Sequence, residues 1–148
     1  MFHQVVSERR KSNPGAVRKP SDVYSLLKSY WKAEKEHFIL ITLNGIHEPI
    51  SLSIVSIGLV NRTIVHPREI FTRAIKDMAS SIIICHNHPS GSVEASAEDK
   101  SITERICKAG ELIGIKVLDH VIFSKYGYAS LREEGYFDTN GDETAQLE

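Results

Sequence analysis

Ser81-Ile82-Ile83-Ile84-Cys85-His86-Asn87-His88-Pro89-Ser90-Gly91 is the stretch that decides the fold of this chain. Ser81 to Cys85 reads as a short apolar strand, buried on both faces. Pro89-Ser90-Gly91 marks a turn directly after it. Ala97 to Ile113 then reads as a helix. Ile102, Ile106, Ala109 and Ile113 recur at helical spacing, and Gly114 suits the helix end.

Working outward, the same alternation recurs. Ser21 to Ala33 is an amphipathic pattern with Val23, Leu26, Leu27, Tyr30 and Trp31 on one face, and predicts a helix. Phe38 to Leu43 predicts a strand, and Asn44-Gly45 a hairpin-type turn. Ile50 to Val55 and Leu59 to Val65 predict two more strands. Pro67 opens a helix expected to reach Met78. Lys116 to Ser124 and Tyr128 to Leu131 complete the strands. Hairpins combined with strand–helix–strand units predict an α/β fold, a mixed sheet flanked by helices.

The chemistry lies at the end of the quoted strand. His86 and His88 are two apart, so both rings point to one side of it. Ser96 and Asp99 follow in a His-x-His-x7-Ser-x2-Asp array. Two imidazoles and a carboxylate are the donor types of catalytic zinc, which keeps its fourth position for water. They leave a divalent ion with a net charge of about +1, which favours hydroxide. Cys85 and Cys107 are the chain's two cysteines and form no C-x-x-C pair, so no structural thiolate site is expected. Simpler readings stand beside this one. Ser96-x-x-Asp99 is also a helix-capping signature, and the histidines could merely be hydrogen-bonded at a strand end.

The segment Ile84 to Gly91, with Ser96 and Asp99, resembles the JAMM (MPN-plus) metalloprotease motif. More closely it resembles the bacterial RadC family. Asp119-His120-Val121-Ile122, His66-Pro67-Arg68-Glu69-Ile70-Phe71 and Ser130-Leu131-Arg132 share that likeness, which extends from about Pro20 to Phe137. The resemblance implies the cytidine-deaminase-like three-layer JAMM/MPN fold. It implies Zn2+ held by His86, His88 and Asp99, with Ser96 supporting a tetrahedral intermediate. It also implies a glutamate far upstream as general base, and Glu36 occupies the matching position. By residue pattern alone, Glu36 is one more charge in Lys32-Ala33-Glu34-Lys35-Glu36, and Glu34, Glu94 and Glu98 compete for the role. Eukaryotic JAMM isopeptidases usually carry serine or threonine between the histidines. Asn87 stands there in this chain, as in RadC proteins, so the resemblance implies the metal chemistry and leaves deubiquitination open. RadC-type chains often have an N-terminal helix-hairpin-helix domain, and the residues before about 20 leave no room for one.

The other polar residues receive modest roles. Asp119 and His120 are expected to hydrogen-bond behind the ligands or to be structural. His66 and Arg68 suit a turn and a helix start. His37 and His47 have no constellation around them, and Cys85 is expected to fill the core.

A chain of 148 residues, 41% hydrophobic and 25% charged, suits one globular domain. A net charge of -1 gives no global attraction to nucleic acid. Residues 1–19 read as a flexible basic tail, 20–137 as the RadC-like domain, and 138–148 as a flexible acidic tail. No secretory signal or membrane span is read, and two cysteines without a disulfide framework fit the cytoplasm. The leading expectation is a zinc-dependent hydrolase acting on a peptide or isopeptide. The alternative is a DNA-associated repair or recombination module, supported by the basic tail. A zinc nucleobase deaminase is excluded because the H-x-E and P-C-x-x-C signature is missing. No feature specifies the oligomeric state.

Overall fold

The structure, a computed structural model, describes residues 4–6, 15–58 and 65–137. Six strands form one sheet: β1 (Gln4–Val6), β2 (Glu36–Leu43), β3 (Pro49–Gly58), β4 (Ser81–Asn87), β5 (Lys116–Ser124) and β6 (Gly127–Ser130). Three helices accompany them: α1 (Pro20–Leu26), α2 (Pro67–Lys76) and α3 (Ala97–Ile113). The strand order is β1-β3-β2-β4-β5-β6. β4 and β5 run parallel, whereas the other neighbouring strands pair antiparallel. The sheet is therefore mixed, and α3 provides the crossover that a parallel pair requires.

Strand periodicity divides the core between the two faces. Phe38, Leu40, Ile82, Ile84 and Ile122 pack with Ile70, Phe71 and Ala74 of α2 and Ile106 of α3. Ile39, Ile41, Leu43, Ile83, Cys85, Val121 and Phe123 face the other way and pack with Val23 and Leu27. The result is a three-layer α/β domain. Its central strand β4 is buried along its whole length, as its isoleucine run requires. Cys85 is fully buried in the second core, as expected.

The first helix is shorter than expected. Instead of continuing to Ala33, α1 stops at Leu26 and a 3-10 turn covers Lys28–Tyr30. The cause is local. The Tyr24 carbonyl accepts from Leu27 N–H at 3.1 Å and from Trp31 Nε1–H at 3.0 Å. The Trp31 ring folds back to stack on Tyr24, with centroids 4.3 Å apart.

β3 is longer than expected. Ser56-Ile57-Gly58, which lie between the two expected strands, continue β3 opposite Phe38, His37 and Glu36. This pairing supports the start of β2. Of the strand expected at Leu59 to Val65, residues 59–64 lie outside the described residues, and Val65 is not in a strand. β6 also ends one residue early, where the Leu131 N–H turns to the His120 carbonyl.

Gln4–Val6, in the segment expected to be a flexible tail, pairs with Leu52–Ile54 of β3. The acidic segment 138–148 lies outside the described residues. No helix among the described residues is long and apolar enough to cross a membrane.

Candidate metal centre

β4 delivers the two histidines. His86 pairs with Phe38 of β2 and with Ile122 of β5, so it is fixed on both sides by sheet hydrogen bonding. After Asn87 the main chain stays with β5, where the His88 N–H donates to the Phe123 carbonyl at 3.0 Å. The chain then turns, with the Gly91 N–H donating to the His88 carbonyl at 3.0 Å. Gly91 has φ +95, and a β-carbon there would meet the Tyr126 ring at 3.0 Å. Both conditions favour glycine.

α3 delivers Asp99. The Ser96 hydroxyl accepts from Asp99 N–H at 3.0 Å, and Asp99 Oδ2 accepts from Ser96 N–H at 2.8 Å. Ser96 and Asp99 thus form a reciprocal capping box, as the simpler reading anticipated. Asp99 also faces the histidines: Oδ1 lies 3.1 Å from His86 Nδ1, and Oδ2 lies 3.3 Å from His88 Nε2. One side chain both caps the helix and enters the site.

β2 delivers Glu36 from the neighbouring strand. Its carboxylate contacts His86 Nε2, and only 6% of the residue is exposed. Glu34, Glu94 and Glu98 are exposed. This difference separates Glu36 from the competing carboxylates, although Glu98 does reach the rim of the cleft.

Glu36, His86 and His88 form a cluster that can hold a metal ion, their donor atoms all lying within 4.8 Å of one another. The structure therefore brings Glu36, His86, His88 and Asp99 together. Glu36 lies closer to the histidines than the role of a base acting through water requires. His47 is exposed and absent from the cluster. The His66 ring accepts from Arg68 N–H at 3.2 Å, which confirms its place at the start of α2.

The donor chemistry fits a cation. His88 Nδ1 donates to the Ser92 carbonyl at 2.9 Å, so a neutral ring carries its lone pair on Nε2. That lone pair faces Asp99 Oδ2. Two acceptors then confront each other unless a proton or a metal ion lies between them. His86 stands between two carboxylates, and a neutral imidazole can donate to only one. Glu36 Oε2 is buried without a hydrogen-bond partner. Two carboxylates beside two neutral imidazoles are an uncompensated anionic cluster, and such burial is costly without a counter-charge.

Burial acts to raise the Asp99 pKa, but its contacts with His86 and His88 prevail and hold the carboxyl well below its ordinary range. His88 is raised, chiefly by its contact with Asp99.

Behind the ligands, where His120 was expected, stands a second residue, Thr103, that the sequence reading did not single out. Thr103, one helical turn after Asp99, donates to the Asp99 carbonyl at 2.7 Å. Its oxygen is also 2.6 Å from His120 Nδ1. Because the threonine proton is used, His120 Nδ1–H is the donor in that second bond. His120 is fully buried, its ring centroid 6.1 Å from that of His86, and it supports α3 from behind. Burial, helped by the charge of His86, lowers its pKa to about 3. The i, i+4 spacing of Asp99 and Thr103 was the available signal. Asp119 points elsewhere, accepting from Ser130 Oγ at 2.5 Å and Arg132 N–H at 3.1 Å. It anchors the turn after β6.

The cleft over this cluster has a volume of about 500 Å³. Phe38, Pro89, Ser90, Ser92, Ser96 and Ile102 contribute to its walls, and no lysine or arginine lines it among the described residues.

The chain is similar to known proteins over most of its length. Residues 17–136 match the family described as the RadC-like JAB domain. A UPF0758 protein of Caldanaerobacter subterraneus subsp. tengcongensis is 48% identical over 124 residues, covering 83% of this chain and 53% of that protein. One from Rubrobacter xylanophilus is 44% identical over 126 residues, covering 83% of this chain and 55% of that protein. One from Methanospirillum hungatei is 43% identical over 127 residues, covering 86% and 55% respectively. The chain spans about half the length of these relatives. The family match extends across strands β2 to β6 and all three helices, so the chain belongs to the RadC-like JAB domain family.

Proposed function

We propose that this domain is a zinc-dependent hydrolase that cleaves a peptide or isopeptide bond. One observation carries the reading: the buried Glu36 carboxylate converges with His86, His88 and Asp99 beneath an open cleft. Nitrogen and oxygen donors without thiolate suit a catalytic rather than a structural zinc site. In this reading His86, His88 and Asp99 hold the ion. When bound, zinc supplies a Lewis acid that acidifies water and polarises a carbonyl.

The remaining chemistry belongs to the chain. Glu36 takes the proton from attacking water and returns it to the leaving nitrogen. Its burial keeps bulk water from competing for that proton. The Ser96 hydroxyl accepts from Asp99 N–H, so its own proton is free to stabilise a developing oxyanion. The hydrogen bond from His88 Nδ1 to Ser92 leaves the Nε2 lone pair available on the side that faces Asp99, where it would serve a bound ion.

A cleft without lysine or arginine suits a peptide better than a phosphate backbone, so DNA is the weaker choice of partner. A peptide-library cleavage assay on zinc-loaded protein tests the proposal. Cleavage is expected, with its loss in Glu36→Gln. Equal cleavage by a His86→Ala, His88→Ala variant would sink the metal-dependent mechanism.

A further inference from the structure

We infer that Asn87, the residue between the two histidines, is the positioning residue for Glu36. The inference deepens the proposed function and rests on that reading of the site. The ladder between β2 and β4 ends at the pair Phe38 and His86. Beyond it, the main chain of β4 stays with β5 through the bond from His88 N–H to Phe123. Glu36 is the first residue of β2 and lies beyond that ladder, without a pairing partner in β4.

The Asn87 side chain fills the gap. Its Oδ1 accepts from His37 N–H at 2.5 Å, and its Nδ2 donates to the Lys35 carbonyl at 2.9 Å. These two backbone groups flank Glu36. A carboxamide has the acceptor and donor of a peptide unit, so Asn87 supplies one more rung after the main-chain rungs have stopped. Its orientation is unambiguous. A backbone N–H can only donate and a carbonyl can only accept, which fixes the oxygen towards His37 and the nitrogen towards Lys35. The amide is buried, with 1% of the residue exposed. The His37 ring tightens the same segment, its Nδ1–H donating to the Lys35 carbonyl at 2.8 Å.

Alternation along β4 explains the division of labour. His86 and His88 face the α3 side, whereas Asn87 faces the other way. Asn87 thus holds Glu36 by its backbone without occupying the cleft, and it is absent from the cleft lining. Serine or threonine at this position is too short to span both flanking groups in the same way. Aspartate keeps the acceptor for His37 N–H but loses the donor for Lys35.

The experiment is nuclear magnetic resonance on the full chain, with Co2+ as a paramagnetic probe. Two quantities are read: amide exchange at His37, and Co2+-induced relaxation of the Glu36 side-chain carboxyl carbon. In Asn87→Ala, His37 exchange is expected to accelerate at least 10-fold, while Leu40 in the same strand is unchanged. Glu36 relaxation is expected to fall severalfold, because the carboxylate moves away from the ion, while His86 and His88 still bind one Co2+ per chain. Unchanged Glu36 relaxation would overturn the inference. A merely structural role would lower stability without moving Glu36 relative to the ion.

Should Asn87→Ala fail to fold, Asn87→Asp takes its place. It keeps the volume and turns an oxygen towards the Lys35 carbonyl, so the same fall in Glu36 relaxation is expected, and its absence overturns the inference. Should the wild-type chain bind no Co2+, the metal reading fails by itself. His37 exchange then decides the Asn87 inference: acceleration upholds the clamp, and its absence removes it.

Discussion

At the scale of single residues, Glu36 and Asp99 are both buried carboxylates against the same histidine, and substitution separates their roles. Glu36→Gln keeps size and hydrogen bonding but cannot take a proton. It is expected to retain zinc and to lower hydrolysis by roughly 100-fold or more. Asp99→Asn removes a charged donor and is expected to weaken zinc itself. Zinc titration and turnover on the same preparations check both, and loss of zinc in Glu36→Gln would make Glu36 a ligand. His120 gives a different signature. Its folded pKa is lowered to about 3 from the ordinary 6.5. Between those values the unfolded chain binds a proton that the folded chain refuses, so stability falls as pH drops through this window. Urea midpoints of the metal-free protein should decline from pH 6.5 towards pH 3, and His120→Gln should flatten that decline.

At the scale of elements, α3 and β5 are joined beneath the site by the Thr103 hydroxyl. Thr103→Val keeps the shape but leaves His120 Nδ1–H buried and unpaired, at a cost of about 1–3 kcal/mol. A denaturant titration measures that cost, and a parallel zinc titration should show weaker binding because Asp99 loses support. Periodicity made β4, α3 and β5 legible in advance, because burial on both strand faces and a capped amphipathic helix leave strong local patterns. α1 was misjudged beyond Leu26 because an indole folding back onto a helix carbonyl leaves apolar periodicity intact while ending the helix. Asp99 was visible both as a cap and as a metal donor, and the structure gives it the cap together with its histidine contacts. Glu36 was different. Its surroundings in the sequence are lysines and another glutamate, and its burial comes from β3, β4 and the Asn87 clamp. Family resemblance brought attention to it where local pattern could not.

For the molecule as a whole, stability depends on the two cores that clasp the sheet. Ile84 is fully buried in the core beneath α2 and α3, so Ile84→Ala is expected to cost about 2–5 kcal/mol. A shifted urea midpoint with an unchanged slope would be the measured result. The route by which the site assembles follows from where its parts lie along the chain. His86, His88 and Asp99 come from one strand–loop–helix unit, whereas Glu36 is 50 positions away from His86 and reaches it only once β2 has docked beside β4. Short loops close at lower entropic cost than long ones. During folding the nearby donors can therefore meet an ion before the distant carboxylate docks. On the proposed reading, a newly made chain would then acquire its metal as a scaffold first, and its capacity for chemistry last.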